Sequence, residues 1–179
     1  YTYDGAGNRL SREARLPDGR REHERYAYPE DGAGNRLVRR ADAITGDVLT
    51  YRHDAGGAPL AAGDLRYAYD ANRRPVSVHR GDTLIARYAY NAFGERVKKS
   101  VRGPDGRMTS TRFLYDGPTL VAEVGDDGEV AVQYVYLTDH RPVARIEGRT
   151  LHAIHADHLG TPKLMTDDEG SVVWQARHE

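Results

Sequence analysis

The chain contains no cysteine, so disulfide bonds play no part in its stability and cysteine usage indicates no compartment. No apolar run approaches the roughly 20 residues that a membrane-spanning helix needs, and we predict no membrane span. Lys plus Arg total 26 and Asp plus Glu total 27, a formal net charge of -1. Because positive charge is not in excess, the composition argues against nucleic acid or an anionic membrane as the main partner.

Several motifs are also missing. No stretch has the 3.6-residue apolar periodicity of a helix, so we predict very low helix content. There is no phosphate-binding loop, Gly-x-Ser-x-Gly elbow, zinc-protease motif or Asn-x-Ser/Thr glycosylation sequence. Hydrophobic residues make up 39% of the chain, a small share for a compact core that suits a sheet with at least one wet face.

A tyrosine motif recurs along the whole chain. All twelve tyrosines lie in it, and it reads Tyr-x-Tyr-Asp, then a Gly/Asn turn, then an Arg-Leu or Arg-Val strand. Copies or relatives begin at Tyr1, Tyr26, Tyr51, Tyr67, Tyr88, Phe113 and Tyr134. Their spacing varies from 16 to 25 residues, which suits hairpins of varying length better than helical repeats with a stricter period. The chain is therefore a repeat protein, in which each unit leans on its neighbours.

Each copy predicts a strand, a turn and a returning strand. In Tyr88-Ala89-Tyr90 both rings lie on one face of a strand. The turn Asn91-Ala92-Phe93-Gly94 follows, because Asn can bond its own backbone and Gly tolerates a positive φ. Similar turns are predicted at Asp4-Gly5-Ala6-Gly7 and Asp31-Gly32-Ala33-Gly34, with return strands at Arg9-Leu10, Arg36-Leu37 and Arg96-Val97-Lys98.

A second kind of turn closes the other end of several hairpins. Pro17-Asp18-Gly19 and Pro104-Asp105-Gly106 place Pro and Gly where such a turn needs them. Variants are predicted at Asp126-Asp127-Gly128 and Asp168-Glu169-Gly170, and a bulge or edge position at Pro29-Glu30. Further strands are predicted over Thr119–Val124, Glu129–Tyr136, Val143–Ile146 and Ser171–Trp174.

These residues resemble a known family. Tyr-x-Tyr-Asp-x-x-Gly-Asn-Arg-Leu is similar to the YD, or Rhs, repeat. The stretch from Ile154 to Leu164, which contains His155-Ala156-Asp157-His158-Leu159-Gly160-Thr161-Pro162, resembles the signature that closes an Rhs repeat region. We therefore expect YD/Rhs repeats over residues 1–150. Residues 151–179 are expected to hold the terminal signature and the start of a truncated further repeat, with His178-Glu179 in place of Tyr-Asp, in one continuous sheet.

The resemblance implies an all-β fold, an antiparallel meander of YD-repeat hairpins in a curved, spiralling sheet. In Rhs-type polymorphic toxins, toxin-complex C subunits and teneurins this sheet forms part of a hollow β-shell. It implies a non-catalytic structural fragment that encapsulates a C-terminal toxin domain for delivery. The expected partners are the rest of the shell, the enclosed toxin domain and a secretion apparatus or its adaptor.

The resemblance also implies a bacterial protein, exported often by type VI secretion, with a secreted, extracellular or cell-surface location. The family's Asp-Pro-x-Gly self-cleavage segment has no counterpart here, so no catalytic residue is carried over and no enzyme activity or cofactor is predicted. The alternative function is an extracellular adhesion or carbohydrate-binding module, for which the rings of Tyr67 and Tyr69 could serve as a sugar platform.

Other residue groups have a structural and a functional interpretation. His152, His155 and His158, with Asp157 and His140, suggest a metal site, but residues three apart on a strand face opposite ways, so structural roles are expected instead. The pairs Asp126-Asp127 and Asp167-Asp168 suggest acid catalysis or calcium, yet they lie in turns where Asp bonds the backbone. Asn8, Asn35 and Asn91 are expected to adopt the left-handed conformation or to cap backbone groups.

Overall fold

The computed structural model describes residues 1–16, 18–29, 34–138 and 141–176. Within these ranges there are seventeen β-strands and no helix, so none that could span a membrane. The strands are β1 (Thr2–Tyr3), β2 (Arg9–Arg15), β3 (Arg21–Ala27), β4 (Arg39–Asp42), β5 (Val48–His53), β6 (Pro59–Ala62), β7 (Leu65–Tyr69), β8 (Pro75–Arg80), β9 (Thr83–Tyr90), β10 (Arg96–Arg102), β11 (Met108–Asp116), β12 (Thr119–Val124), β13 (Val130–Thr138), β14 (Arg141–Glu147), β15 (Thr150–Ala156), β16 (Pro162–Thr166) and β17 (Val172–Gln175).

The chain divides into two compact units, Tyr1–Ile85 and Ala86–Glu179. In the first unit each strand from β1 to β8 pairs antiparallel with the next one. In the second unit the same holds from Ala86 of β9 through β17. The predicted all-β antiparallel meander is therefore confirmed.

Most hairpins share one tight turn. In the turn that begins at Asn91, the Asn91 N–H donates to the Glu95 carbonyl (3.0 Å), and the Gly94 N–H donates to the Asn91 carbonyl (3.1 Å). Gly94 has a φ of 89°, a left-handed conformation that a residue without Cβ adopts at no steric cost. The same two bonds recur in the turns that begin at Asp4, Leu16, Asp54, Asp70, Gly103, Gly125, Asp157 and Asp167. Of the turn predicted at residues 31–34, the first three residues lie outside the described ranges.

Two-residue turns, which the sequence pattern did not predict, close other hairpins. Gly63, Gly117 and Gly148 each take the first turn position, with φ between 54° and 59°. The register shows the tight closure, because Ala62 is opposite Leu65, Asp116 opposite Thr119 and Glu147 opposite Thr150. A positive φ at the first position matches the right-handed twist of the flanking strands, which is why glycine is favoured there.

The predicted strand from Thr119 to Val124 coincides with β12, and those in β13, β14 and β17 are confirmed to within two residues. The return strand predicted at Arg36-Leu37 is wrong, because β4 begins only at Arg39. Arg36 instead donates to the carbonyls of Asp54 (3.0 Å) and Ala55 (2.8 Å), and this holds the segment over a neighbouring turn.

Few side chains are buried in the described part of the chain. No large side chain there is below 2% exposure, and Phe113, at 9%, is the largest of the buried hydrophobic residues. The others are Ala62, Ala86, Ala122, Val124, Val132 and Ala144. Strand pairing supplies the contacts, and no second layer of described residues covers the strands, as the low hydrophobic content predicted.

Candidate functional surface: the links between repeats

An arginine after the turn links the first aromatic residues of two successive repeats. The guanidinium carbon of Arg9 lies 4.7 Å from the ring centroid of Tyr1 and 5.9 Å from that of Tyr26. Such cation–π contacts contribute roughly 0.5–1 kcal/mol each at exposed sites. Arg9 therefore joins the repeat that begins at Tyr1 to the one that begins at Tyr26.

The same link recurs in the second unit. Arg96 lies 5.8 Å from the ring centroid of Tyr88 and 5.0 Å from that of Phe113. The hydroxyls of Tyr26 and Tyr134, at other first positions, donate to the carboxylates of Glu24 and Glu123. Phe113 has no hydroxyl, so in its repeat the first position supplies only a ring to the arginine. This explains why a phenylalanine can begin a repeat.

The second tyrosine of a repeat uses its hydroxyl instead. The Tyr115 hydroxyl donates to the Arg96 carbonyl (3.2 Å), at the start of the return strand of the preceding repeat. Equivalent bonds run from Tyr28 to the Arg9 carbonyl (3.1 Å), from Tyr69 to the Pro59 carbonyl (2.7 Å) and from Tyr136 to the Leu120 carbonyl (2.8 Å). A carbonyl at a strand end has few ladder partners, and the phenol supplies one.

Burial affects the acidity of these tyrosines. It raises the pKa of Tyr69, Tyr115 and Tyr136 because the phenolate would lose hydration. The largest change is at Tyr134, whose pKa rises to about 12 through burial and then through its hydrogen bond to Glu123 Oε1 (2.7 Å). These hydroxyls therefore remain neutral donors at physiological pH.

The turn carboxylates are backbone acceptors. Asp70 Oδ1 accepts the N–H groups of Asn72 and Arg74, both at 2.9 Å, and the Arg74 backbone bond is the main reason that the pKa of Asp70 is lowered. The pKa is also lowered at Asp4, Asp18, Asp42, Asp54 and Asp157. Asn91 uses its amide oxygen in the same way, so the chemistry needs an acceptor rather than a charge.

Neighbouring turns also contact each other. Arg73 Nη2 lies 3.1 Å from Asp54 Oδ1, and Arg36 donates to the Asp54 carbonyl from another direction. Arg73 has a φ of 63°, and it is the one non-glycine residue with positive φ in the described ranges. Its guanidinium covers Gly56, where an added Cβ would lie 1.8 Å from Nη1. The turn at Asp54 is therefore clamped between two arginines.

Among the described residues, no three His, Asp or Glu side chains gather in a group that could hold a metal ion. His155 Nε2 lies 3.0 Å from Thr166 Oγ1, and Asp157 accepts turn N–H groups and pairs with Lys163 at 3.2 Å. His152 Nδ1 is buried and has no hydrogen-bond partner there. His140 lies outside the described residues.

The acidic pairs have the expected turn geometry. Asp127 Oδ1 accepts the Glu129 N–H (3.0 Å), and Asp126 Oδ2 accepts the Ser110 N–H (2.8 Å). Asp167 Oδ1 accepts two N–H groups of its own turn. Backbone bonding therefore accounts for Asp126, Asp127 and Asp167.

None of Asn8, Asn35 and Asn91 adopts the left-handed conformation. Glycine, and Arg73 once, takes that conformation instead. Of the two predicted roles, Asn91 has the capping one, because its Oδ1 accepts the N–H groups of Phe93 and Glu95. Asn8 Nδ2 donates to Asp4 Oδ2 (2.8 Å) and to Asn35 Oδ1 (3.2 Å). The carbohydrate platform at Tyr67 and Tyr69 stays a prediction.

The contacts of the arginines that follow the turns, Arg9 and Arg96, were not predicted from the sequence. Their signal was present, since Arg9 and Arg96 recur at the same place in the motif, but only the structure shows which rings they contact. The difference between the two aromatic positions was not predicted either, and Phe113 at a first position was the available clue.

The chain was compared with known proteins. Residues 152–179 match the RHS protein family. The chain is similar to the toxin protein Tse5 of Pseudomonas aeruginosa, with 31% identity over 98% of the chain and 17% of that protein. It is also similar to double-stranded DNA deaminase toxin A of Burkholderia cenocepacia, with 30% identity over 63% of the chain and 10% of the toxin. The chain thus spans less than a fifth of either relative.

Solved structures share the fold. The crystal structure of TcdB2-TccC3 without its hypervariable C-terminal region aligns with 96% of the chain at a TM-score of 0.58 and 13% identity, covering 11% of that protein. The Photorhabdus luminescens Tc holotoxin pore aligns with the whole chain at a TM-score of 0.55 and 14% identity, over 11% of that chain. The predicted resemblance to Rhs/YD-repeat proteins is confirmed.

Proposed function

Since this chain is an Rhs/YD-repeat protein, we propose that it forms part of the wall of an Rhs-type shell that encloses a C-terminal toxin domain and contributes no catalytic residue. The observation that carries the proposal is the coupling of successive repeats within each unit by Arg–aromatic contacts and tyrosine–carbonyl bonds, in a fold shared with toxin-complex proteins. Repeats coupled only to neighbours build extended walls rather than compact cores.

The mechanism would be containment. Each strand pairs with the next, which leaves few free edges along the wall and keeps the enclosed domain away from the producing cell. We also propose that the whole polypeptide is exported, through type VI secretion, and that it delivers the enclosed toxin domain. The relatives named as a toxin and a deaminase toxin support this context.

Limited proteolysis of a longer protein that carries this chain and a toxin domain would test containment. We expect the toxin domain to be cut much more slowly there than when it is produced alone. Changing Tyr28, Tyr115 and Tyr136 together to Phe should speed cleavage, because it removes three links between repeats.

The matched control is Tyr88→Phe, which keeps the ring that Arg96 contacts. This change should leave protection intact. Equal cleavage of the enclosed and the free toxin domain would contradict the proposal. Retained toxicity in the producing cell despite an intact wall would also contradict it.

A further inference from the structure

The first unit has one face that carries unpaired positive charge. Residues directly opposite each other in an antiparallel pair, and alternate residues along a strand, share a face. The register places six arginines on the same face of β2 to β7: Arg15, Arg21, Arg25, Arg39, Arg52 and Arg66. We call this surface the arginine face.

All six arginines are exposed. Among the described residues none of them forms an ion pair with a carboxylate. Among the strand residues of the arginine face, Glu13 is the one carboxylate. Its side chain is 74% exposed, and its Oε1 lies 3.6 Å from His23 Nε2. Six arginines and one glutamate give the face a formal charge of +5, although the whole chain has a net charge of -1.

The opposite face of the same strands is arranged differently. There Arg12 lies 2.6 Å from Glu22 and 3.6 Å from Glu24, and Arg40 lies 3.5 Å from Glu24. The chain therefore compensates its cations on one side and leaves them uncompensated on the other. Arg15 and Arg21 are even directly opposite each other, a like-charge pair that destabilises a sheet unless an anion offsets it.

The spacing of the arginines suits an extended peptide. Arg25, Arg39 and Arg52 lie on the successive strands β3, β4 and β5. Each of these arginines is displaced by two residues along the strand from the position directly opposite the previous one. Such diagonal neighbours are about 7–8 Å apart. Alternate side chains of an extended strand are roughly 6.6–6.8 Å apart. Acidic residues at every second position of an extended segment could thus each meet a guanidinium, which binds carboxylates through two parallel N–H bonds.

The surroundings favour a polypeptide over other polyanions. Single-stranded nucleic acid is held by aromatic side chains on which bases stack, whereas the tyrosines of these strands lie on the opposite face. Small side chains separate the arginines, among them Ser11, Ala27, Ala41, Thr50 and Ala61. Binding to a membrane surface would need large apolar side chains that insert into the lipid. Among the paired residues of the arginine face, only Val48 has a large apolar side chain.

We propose that the arginine face binds an acidic segment of a partner polypeptide in an extended conformation. This inference does not depend on the proposed shell function, because it rests on the distribution of charge within the first unit alone.

Fluorescence anisotropy with the 179-residue chain tests the proposal. The probe is a labelled 16-residue peptide of alternating Glu and Ser, and a Lys/Ser peptide is the negative probe. We expect saturable binding of the acidic peptide that weakens steeply as NaCl rises, because exposed charges are screened. The variant Arg25→Gln/Arg39→Gln/Arg52→Gln should bind at least tenfold more weakly.

The matched control is Arg20→Gln/Arg73→Gln/Arg80→Gln. It removes the same charge from exposed arginines that already have carboxylate partners and lie off the face. Its affinity should stay within about twofold of the parent. Equal losses in both variants would mean that binding follows net charge alone, and would overturn the proposal.

Two further arms identify the ligand. The same measurement is made with a single-stranded oligonucleotide of equal charge and with vesicles that contain phosphatidylserine. Tighter binding of either of these than of the peptide would also overturn the proposal. If a variant does not fold, photo-crosslinking of the peptide to the parent chain decides the matter. Crosslinks on β3, β4 and β5 support the arginine face, and crosslinks confined elsewhere contradict it.

Discussion

The two aromatic positions of each repeat have different contacts. The first contributes a ring to an arginine, as Phe113 does to Arg96, and the second contributes a hydroxyl to a carbonyl, as Tyr115 does to Arg96. Both contacts end on the residue that follows a turn. The motif therefore connects successive repeats, and at Arg9 and Arg96 one arginine receives both a ring contact and a hydroxyl bond.

This difference predicts unequal effects of removing a hydroxyl. Tyr115→Phe should lower the free energy of unfolding by roughly 0.5–1.5 kcal/mol, because the Arg96 carbonyl loses its donor. Tyr88→Phe should have an effect below about 0.5 kcal/mol, because its ring contact is kept. Urea denaturation of both variants measures this, and equal effects would show that the hydroxyl bond does not couple the repeats.

The left-handed turn position allows a second comparison. Gly106→Ala should destabilise the chain by about 1–2 kcal/mol through the backbone alone, because φ is 80° and nothing lies within 4 Å of an added Cβ. Arg73→Gly relieves the same strain but removes an exposed ion pair, which solvent screening leaves with little effect on stability. Its net effect should be near zero or slightly stabilising in thermal unfolding. A large loss would mean that the clamp on Asp54 outweighs the strain.

At the scale of the elements, the hairpins are closed by turns with two acceptor arrangements. In the turns that follow the tyrosines the side-chain acceptor is the first residue, such as Asp70 or Asn91. In the turns at the other end it is the third, such as Asp105, whose Oδ1 accepts the Arg107 N–H. In both arrangements the side-chain oxygen accepts backbone N–H groups of the turn that have no partner in the neighbouring strand. The turn residues therefore stabilise the register of the two strands that they connect.

The turn carboxylates predict acid sensitivity. Their pKa values are lowered in the folded chain, so their contribution is fully present above the unfolded value of 3.8 and is lost as the pH falls through the folded values. The urea midpoint should therefore fall as the pH drops below about 4, and it should continue to fall through the lowered pKa values of the folded chain. Asp70→Asn/Asp157→Asn should flatten this dependence, because an amide oxygen still accepts but does not titrate.

Asp82→Asn is the control for that experiment, since in the described ranges its carboxylate accepts no hydrogen bond. It should leave the slope of stability against pH nearly unchanged. If the double variant has the slope of the parent chain, the turn carboxylates are not the source of acid sensitivity.

At the scale of the whole molecule, the average composition conceals local concentrations of charge and of apolar surface. The chain has a net charge of -1, but the arginine face of the first unit has a formal charge of +5. Net charge alone therefore does not exclude an anionic partner for this one face. Large hydrophobic side chains also remain exposed, such as Leu137 at 74% and Leu151 at 50%.

This exposure predicts self-association of the isolated chain. We expect concentration-dependent oligomers or poor solubility in light scattering, because no described layer covers these side chains. Leu137→Gln/Leu151→Gln should reduce the association, whereas Val48→Gln in the first unit serves as a control of similar exposure. A sharp, monodisperse monomer of the parent chain at high concentration would contradict the prediction.

The sequence by itself determined the repeat, the strands and most turns. Alternation along a strand has a period of two and turn residues act within four positions, so both can be recognised from neighbouring residues. Thr119–Val124 and the Asn91 turn were predicted in this way. The start of β4 was not, because Arg36 is held by carbonyls 18 and 19 residues away.

Only the tertiary structure decided which residues face the same way and meet across strands. The contact of Arg96 with Phe113, the bond from Tyr115 and the arginine face all depend on register between segments, and bulges such as the one between Arg96 and Lys98 change that register. Since a shift of one residue moves a side chain to the other face, composition and local pattern cannot assign these contacts.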